Sequence, residues 1–246
     1  TVTASDGLNT TTQDITVNVT NVNDVAPEFT SEATFSAAEN QTAIGTVTAT
    51  DAEGDDVTFT ISGDELAITS AGVLTFVEAP DYETKATYTA TVTASDGTNT
   101  TTQDITVNVT NVNDNNPSFT SSATFSAAEN QTAIGTVTAT DADEDSITYS
   151  ISGSDITINS SSGVIAFVSA PDYEIKAVYT ATVTASDGTN STTQDITVNV
   201  TNVNDNNPSF TSSATFSAAE NQTAIGTVTA TDADGDAVTF IISGDE

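Results

Sequence analysis

The sequence contains no cysteine, histidine, methionine or tryptophan, and its 246 residues carry 35 acidic side chains against two basic ones. These absences exclude a disulfide scaffold, a thiolate or imidazole zinc site, and any nucleophile that is paired with histidine. The formal net charge of −33 also excludes a basic surface for nucleic acid or anionic lipid. No apolar run approaches the roughly 18 residues of a membrane-spanning helix. Carboxylates in such excess are suited to binding hard cations through oxygen.

Three sequence blocks recur at spacings of 90 and 91 residues, which indicates a tandem array. The blocks are TVTASDG at 1–7, 91–97 and 182–188, ATFSAAENQTAIGTVTATD at 33–51, 123–141 and 214–232, and NVND at 21–24, 111–114 and 202–205. We predict the C-terminal piece of a repeat at 1–24, complete repeats at 25–114 and 115–205, and the N-terminal piece of the next repeat at 206–246. Because the chain has neither an initiator methionine nor a leader, we expect it to be an interior part of a longer array.

Apolar residues alternate with threonine through most of each repeat, which is typical of β-strands with one buried face. In the first complete repeat this pattern covers 44–50, 57–61, 88–94 and 105–109, with shorter candidates at 33–37, 66–69 and 73–77. Seven short strands in about 90 residues, without helical periodicity, predict an all-β fold. We therefore expect tandem seven-stranded Greek-key β-sandwich modules arranged head to tail.

The acidic residues fall at the two ends of each predicted sandwich. If consecutive strands A to G alternate in direction, the A–B loop, the E–F loop and the end of strand G share one end, while the B–C and F–G loops share the other. In the second complete repeat, the first end receives Glu129, Asp172, Glu174, Asn204 and Asp205, and the second end receives Asp141, Asp143 and Asp187. Ordinary turn chemistry would not concentrate acids at the ends in this way.

Successive repeats in a head-to-tail array would bring these two ends together. Around residue 114 the joint would collect Glu39, Asp81, Glu83, Asp114, Asp141, Asp143 and Asp187. Seven carboxylates in one joint would repel one another strongly unless cations neutralised them. Calcium accepts about six to eight oxygen ligands in flexible geometry, whereas magnesium suits such a cage poorly. We therefore predict calcium at the joint, with Asn113 and Asn115 supplying neutral oxygen ligands.

Five motifs, AAEN, DAD, PDYE, ASDG and NVNDNNP, together resemble the cadherin repeat. That family shows a glutamate near its first strand, a DxD pair, a DRE-type element, an AxDxG turn and a DxNDN linker. The resemblance covers both complete repeats and both flanking pieces. The near-identity of successive repeats is similar to the arrays of giant bacterial or archaeal secreted adhesins. The resemblance implies a cadherin/Ig-like sandwich and calcium at each linker, which stiffens a rod that serves adhesion.

The other two linkers extend the candidate ligand set. The first would use Asn23, Asp24, Asp51, Glu53 and Asp96, and the third would use Glu129, Asp172, Glu174, Asn204, Asp205, Asn206, Asp232 and Asp234. The leading acid of the family's linker is asparagine at 21, 111 and 202. Because Glu53 and Val25 replace the aspartate and asparagine of the other repeats, we expect the first joint to differ. Only the joint near 114 has all of its contributors within this sequence.

We predict a non-enzymatic extender or stalk of a large extracellular or cell-surface adhesin or fibre, made rigid by calcium and projecting a distal binding domain for cell adhesion. Its partners would be the neighbouring repeats of the same array. One alternative is a self-assembling extracellular filament or matrix protein with lateral contacts between identical chains, although a charge of −14 on 25–114 opposes such packing without bridging cations. A carbohydrate- or ice-binding module is a weaker alternative.

Three simpler interpretations concern individual side chains. The acids can act as a solubility device, without any metal. Asp81 and Glu83, two residues apart on a predicted loop, are better metal ligands than a glycosidase pair. Lys85 and Lys176 lie at the edge between a loop and a strand, so we expect both to be solvated rather than buried beside an acid in an intramolecular isopeptide bond.

Overall fold

A computed structural model describes residues 1–244, and these residues fall into two compact units. The first unit is Thr1–Val112, and the second begins at Asn113. The predicted boundaries of the four segments stay predictions, and the last two residues of the segment 206–246 lie outside the described part of the chain. Within that part, no helix is long and apolar enough to cross a membrane.

The first unit contains eleven strands within the described residues. They are β1 (Val2–Ser5), β2 (Thr10–Gln13), β3 (Glu28–Phe29), β4 (Thr34–Ala38), β5 (Ala43–Thr46), β6 (Ala49–Thr50), β7 (Thr58–Ile61), β8 (Leu66–Ile68), β9 (Val73–Phe76), β10 (Thr87–Ser95) and β11 (Thr100–Thr110). One sheet has the order β4-β11-β10-β7, and a second has the order β5-β9-β8. Two further pairs are β3-β6 and β1-β2.

The second unit repeats the same arrangement. Its strands are β12 (Ser118–Phe119), β13 (Thr124–Ala128), β14 (Ala133–Thr136), β15 (Ala139–Thr140), β16 (Thr148–Ile151), β17 (Ile156–Ile158), β18 (Val164–Phe167), β19 (Val178–Ser186), β20 (Ser191–Thr201), β21 (Ser209–Phe210) and β22 (Ala230–Thr231). The sheets are β13-β20-β19-β16 and β14-β18-β17, with the pairs β12-β15 and β21-β22. The all-β sandwich fold predicted from the alternating pattern is confirmed.

Each complete repeat has its own apolar core between its sheets. In the second unit, Ile165, Val183 and Ile196 belong to this core, and Phe167 meets the ring of Tyr179 edge to face at 4.9 Å between centroids. Alternate residues of β20 are buried while their neighbours face outward. The threonine faces of these strands are therefore the outer surface of the sandwich.

The predicted strand at 44–50 is interrupted. The structure divides it into β5 and β6, and Val47 between them is fully buried and donates its backbone N–H to the carbonyl of Gly72 at 2.9 Å. Gly72 has a φ of +86°, and a Cβ at this position would lie 2.2 Å from the carbonyl oxygen of Val47. Only glycine fits this close approach, which joins the interrupted strand to the turn that precedes β9.

Candidate metal centre

A buried glutamate connects separate segments of the chain at one end of the second complete repeat. Glu129 directly follows β13 and is 3% exposed. Its two carboxylate oxygens accept the backbone N–H groups of Tyr173 and Val203, each at 2.7 Å. Because β13 runs parallel to β20, both strands end at the same place, and the loop after β18 folds over them. Glu129 therefore holds the loop and the exit of β20 together.

Glu39 makes the same contacts in the first unit. It accepts the N–H of Tyr82 and the N–H of Val112, each at 2.7 Å, and it is also 3% exposed. This arrangement places the AAEN and PDYE motifs and the end of the last strand at one end of the sandwich, as the alternating strand directions suggested.

Four carboxylates converge at the third linker, all within the second unit. Glu129, Glu174, Asp205 and Asp234 each place one oxygen within 4.8 Å of the others. Glu174 comes from the loop between β18 and β19, Asp205 follows β20, and Asp234 follows β22. The group thus joins residues of the second complete repeat to the segment that begins at 206.

Hydrogen bonds fix the position of Asp234 in this group. Its carboxylate accepts the backbone N–H groups of Asp205 at 3.1 Å and Asn206 at 2.8 Å, and the side-chain amide of Asn206 at 2.9 Å. The side-chain amide of Asn206 makes the largest contribution to lowering the pKa of Asp234 below its ordinary value. Glu174 shows the opposite effect, since desolvation, together with the nearby charges of Glu129 and Asp234, raises its pKa.

The loop between the second and third predicted strands forms a further acidic group in each repeat. The groups are Asp51, Glu53 and Asp55 in the first unit, and Asp141, Asp143 and Asp145, and Asp232, Asp234 and Asp236, in the second. Asp143 is buried, and its carboxylate accepts the N–H groups of Asp114 and Asn115 at 3.0 and 2.8 Å. The Oδ2 atoms of Asp51 and Asp141 are buried without a hydrogen-bond partner.

The loop between β19 and β20 carries Asp187 and Asn190, which lie near the linker residue Asn113. Asp187 accepts the backbone N–H groups of Thr189 and Asn190 at 2.7 and 2.6 Å, and its Oδ2 is buried without a hydrogen-bond partner. The amide of Asn190 donates to the side-chain oxygen of Asn113 at 2.7 Å and to the carbonyl of Asn115 at 3.2 Å. Burial opposes ionisation of Asp187, but the hydrogen bonds outweigh it and lower the pKa of this carboxyl.

Sequence reasoning missed Asn190 and its counterpart Asn99. The amide of Asn99 donates to the side-chain oxygen of Asn23 at 2.7 Å, as Asn190 does to Asn113. The available signal was the sequence SDGTN at 95–99 and SDGTN at 186–190, in which the asparagine follows the aspartate by three residues. That spacing is typical of a turn in which the aspartate caps the following N–H groups.

The first linker differs from the third in the expected place. The longer side chain of Glu53 accepts the N–H groups of Asp24 and Val25 at 2.8 and 3.0 Å, as Asp234 does for Asp205 and Asn206. Val25 has no side-chain amide, whereas the side-chain amide of Asn206 donates to Asp234, Asp205 and Glu174. The backbone is therefore held in the same way at both linkers, but the first lacks these side-chain hydrogen bonds.

Some predicted ligands are not brought into these acidic groups. Asp172 caps its own turn by accepting the N–H of Ile175 at 3.1 Å, and Asp81 does the same for Thr84 at 3.0 Å. Asp96 accepts the N–H groups of Thr98 and Asn99. The remaining members of the predicted group around residue 114 belong to different units, and their meeting stays a prediction. Asn204, Asp232 and the others named for the third linker lie in the second unit.

The chemistry of the third linker fits calcium. All of the converging atoms are oxygens, and two oxygens on opposite sides of a calcium ion would be about 4.8 Å apart at a metal–oxygen distance of about 2.4 Å. The four oxygens of the group lie within that separation. The buried oxygens of Asp141 and Asp187 that lack partners likewise require a donor or a cation.

The fold and these acidic linkers define a class: tandem β-sandwich repeats with acidic joints. Residues 123–201 match the family model of the cadherin domain. A mouse relative, cadherin EGF LAG seven-pass G-type receptor 1, is 32% identical over 248 residues, which cover 89% of this chain and 8% of that protein. The chain spans between 6% and 8% of the length of the first curated relatives that it matches.

Solved structures agree with the family match. Mouse cadherin-23 repeats EC22-24 superpose with a TM-score of 0.67 at 27% identity, over 85% of this chain and 78% of theirs. Extracellular cadherin domains 3–6 of protocadherin gamma B2 superpose with a TM-score of 0.68 at 25% identity, over 86% of this chain and 61% of theirs. Residues 123–201 thus match the cadherin domain, and the chain shares the tandem β-sandwich fold of these cadherin ectodomain structures.

Proposed function

We propose that the chain is a calcium-binding extender segment of a larger extracellular adhesin or surface fibre, with no catalytic role. Calcium at each linker would restrict the movement of successive repeats, so that the array projects a distal binding domain. The neighbouring repeats of the array are its immediate partners. The proposal is supported chiefly by the convergence of Glu129, Glu174, Asp205 and Asp234, whose oxygens lie within 4.8 Å of one another.

Electrostatics favours a cation at this position. Desolvation first, and then the like charges of Glu129 and Asp234, raise the pKa of Glu174. The sequence offers only Lys85 and Lys176 as basic side chains, and each is paired with another acid. A divalent cation bound through Glu129, Glu174, Asp205 and Asp234 would neutralise the repulsion and hold residues 206 onward against the preceding repeat.

The ligand types favour calcium over magnesium. Magnesium requires near-ideal octahedral geometry and retains several waters, whereas calcium accepts many protein oxygens in irregular geometry. Asp234 holds the linker backbone through the N–H groups of Asp205 and Asn206, and one of its oxygens lies within 4.8 Å of an oxygen of Glu174. Asp141, Asp143 and Asp187 with Asn113 would form the equivalent half-site at the preceding linker.

Chelation tests the proposal with the whole chain. Thermal unfolding and small-angle scattering would be measured in millimolar calcium, in chelator, in the same concentration of magnesium, and in sodium chloride of equal ionic strength. We expect calcium alone to raise the melting temperature substantially and to narrow the distribution of maximum dimensions, since a ligand of the folded state stabilises by mass action.

The sodium chloride arm separates site binding from screening of the −33 charge. The double variant Glu174→Gln with Asp234→Asn should lose part of the calcium response while keeping the response to sodium chloride. Equal melting temperatures and scattering curves in calcium and in chelator would refute the proposal and leave the acids as a solubility device.

A further inference from the structure

The only two basic side chains of the sequence occupy equivalent positions in the two complete repeats. Lys85 and Lys176 each stand two residues after the glutamate of the PDYE motif. The sequence offers 35 acidic side chains, yet each lysine makes the same two kinds of contact, one with an acid and one with a tyrosine ring. The equivalent positions and contacts of the two lysines suggest a structural role that the acidic side chains do not fill.

Lys176 is held by two strands of the sandwich. Its Nζ lies 2.6 Å from Oδ2 of Asp155, which immediately precedes β17, and 4.1 Å from the centre of the Tyr179 ring on β19. The carbonyl of Asp155 also accepts the N–H of Val168 at 2.9 Å, which fixes Asp155 to the end of β18. The Lys176 side chain is 46% exposed, so it remains in contact with solvent while its ammonium group meets an acid and an aromatic face.

Lys85 repeats these contacts with a different acid. Its Nζ lies 2.5 Å and 2.6 Å from the two oxygens of Glu65 and 4.4 Å from the centre of the Tyr88 ring. Glu65 occupies the position of Asp155 in the next repeat. Asp155 is one methylene shorter than Glu65, and the ion pair with lysine is retained in both repeats. The Lys85 side chain is likewise 41% exposed.

The lysine closes the turn that carries the candidate ligands. The backbone N–H of Lys176 donates to the carbonyl of Asp172 at 2.9 Å, and the N–H of Ile175 donates to the Asp172 carboxylate at 3.1 Å. Glu174, which contributes to the group of four carboxylates, lies inside this turn. At its other side, the turn is held by the bond from the N–H of Tyr173 to Glu129.

We propose that Lys176 is a positioning residue that fixes the PDYE turn, so that Glu174 meets Glu129, Asp205 and Asp234, and that Lys85 does the same for Glu83. The ion pair fastens the turn to the strand edge at Asp155, and the aromatic ring prevents the lysine from turning towards the acidic group. This inference rests on the proposed calcium site for its effect on binding, although the fastening itself does not require metal.

The sign of the effect separates positioning from charge. If Lys176 acted only as a nearby positive charge, its removal would strengthen calcium binding, because a cation repels a cation. Positioning predicts the opposite, since a loosened turn must be ordered again when calcium binds. Half-exposed ion pairs contribute little to global stability, so the melting temperature should change little.

The experiment is hydrogen exchange of the whole chain with Lys176→Met, first in chelator and then across a calcium titration. We expect faster exchange within 172–176 in chelator, and a rise of about tenfold in the calcium concentration that protects this segment. Lys176→Arg, which keeps the charge and the stacking, should restore both values. Lys85→Met is the matched control, because it should change the segment 81–85 and leave 172–176 as in the wild type.

Each outcome decides a different question. Unchanged exchange in chelator would overturn the fastening role, and a lowered calcium midpoint would show that Lys176 acts through its charge alone. If calcium protects no segment of the wild-type chain, the proposed function fails, while the measurements in chelator still decide whether Lys176 fixes the turn.

Discussion

The sequence TTQDITVNVT occurs at 11–20, 101–110 and 192–201, yet the first and second copies have different structures. The second copy lies in β11, where Ile105 is 1% exposed. In the first copy the strand β2 ends at Gln13, and Ile15 is 60% exposed. β11 lies between β10 and β4, whereas no strand of the described residues pairs with 14–20. Identical residues therefore form a strand only where neighbouring strands receive them, as expected when packing outweighs intrinsic preference.

The turn next to this sequence behaves in the opposite way. Asp6 accepts the N–H groups of Leu8 and Asn9 at 2.9 and 2.6 Å, and Asp187 accepts those of Thr189 and Asn190 at 2.7 and 2.6 Å. These bonds join residues two and three positions apart, so the turn needs no distant partner. In residues 1–24, the turn at 6–9 is therefore kept because its hydrogen bonds are local. Residues 14–20 do not form a strand because a strand requires distant partners.

The largest expected difference in unfolding free energy is between the buried isoleucine of a packed copy and the exposed isoleucine of the first copy. Ile196→Ala, in the equivalent strand β20, removes a side chain that is 1% exposed and should lower the free energy of unfolding by about 2–5 kcal/mol. Ile15→Ala makes the same chemical change at an exposed position and should alter it by less than about 0.5 kcal/mol. Denaturant unfolding in calcium compares the two variants. Equal losses would mean that residues 14–20 are packed in solution, contrary to their exposure here.

A smaller difference is expected at the glutamate of the AAEN motif. Glu129→Gln replaces one of two oxygens that accept N–H groups at 2.7 Å, and should lower the free energy of unfolding, measured in chelator, by about 1–3 kcal/mol. Glu220 is the same residue of the motif in the final segment, where it is exposed, so Glu220→Gln is the matched control with little expected effect. If both variants lose equal stability, the hydrogen bonds of Glu129 are not the cause.

The sandwich was predictable because its signal is repeated along the sequence. Alternation of apolar residues with threonine located β7 and β10 to within one residue, since one face of each strand must be buried, but placed the start of β11 five residues too late. The break at Val47 was not predictable from alternation, because it depends on the close approach of Gly72 from a distant turn. The short strand β3 was missed, since two residues carry no period.

The acidic residues were predictable by type and by loop, but their detailed roles were not. Placing Glu129 and Glu174 at one end required only strand direction, and the structure brings them together. Asp172, from the same motif, instead caps its own turn. The contacts of Asn190 and Lys176 were missed, because both depend on which side chain of a distant segment lies opposite.

The smallest expected difference is in the acid dependence of the SDG turn. Hydrogen bonds from the N–H groups of Asn9 and Leu8 lower the pKa of Asp6, and hydrogen bonds that outweigh burial lower the pKa of Asp187. A carboxylate whose pKa is lower in the folded than in the unfolded state stabilises the fold at a pH above its unfolded-state pKa. This contribution is lost as the pH falls through the folded-state pKa.

In chelator, Asp187→Asn should therefore reduce the melting temperature near about pH 6, and the reduction should vanish in more acidic solution. Asp6→Asn should have no such effect, because Asp6 belongs to the piece whose apolar residues are exposed. A reduction for Asp187→Asn that is the same at every pH would assign the effect to packing of the new amide rather than to the lost charge.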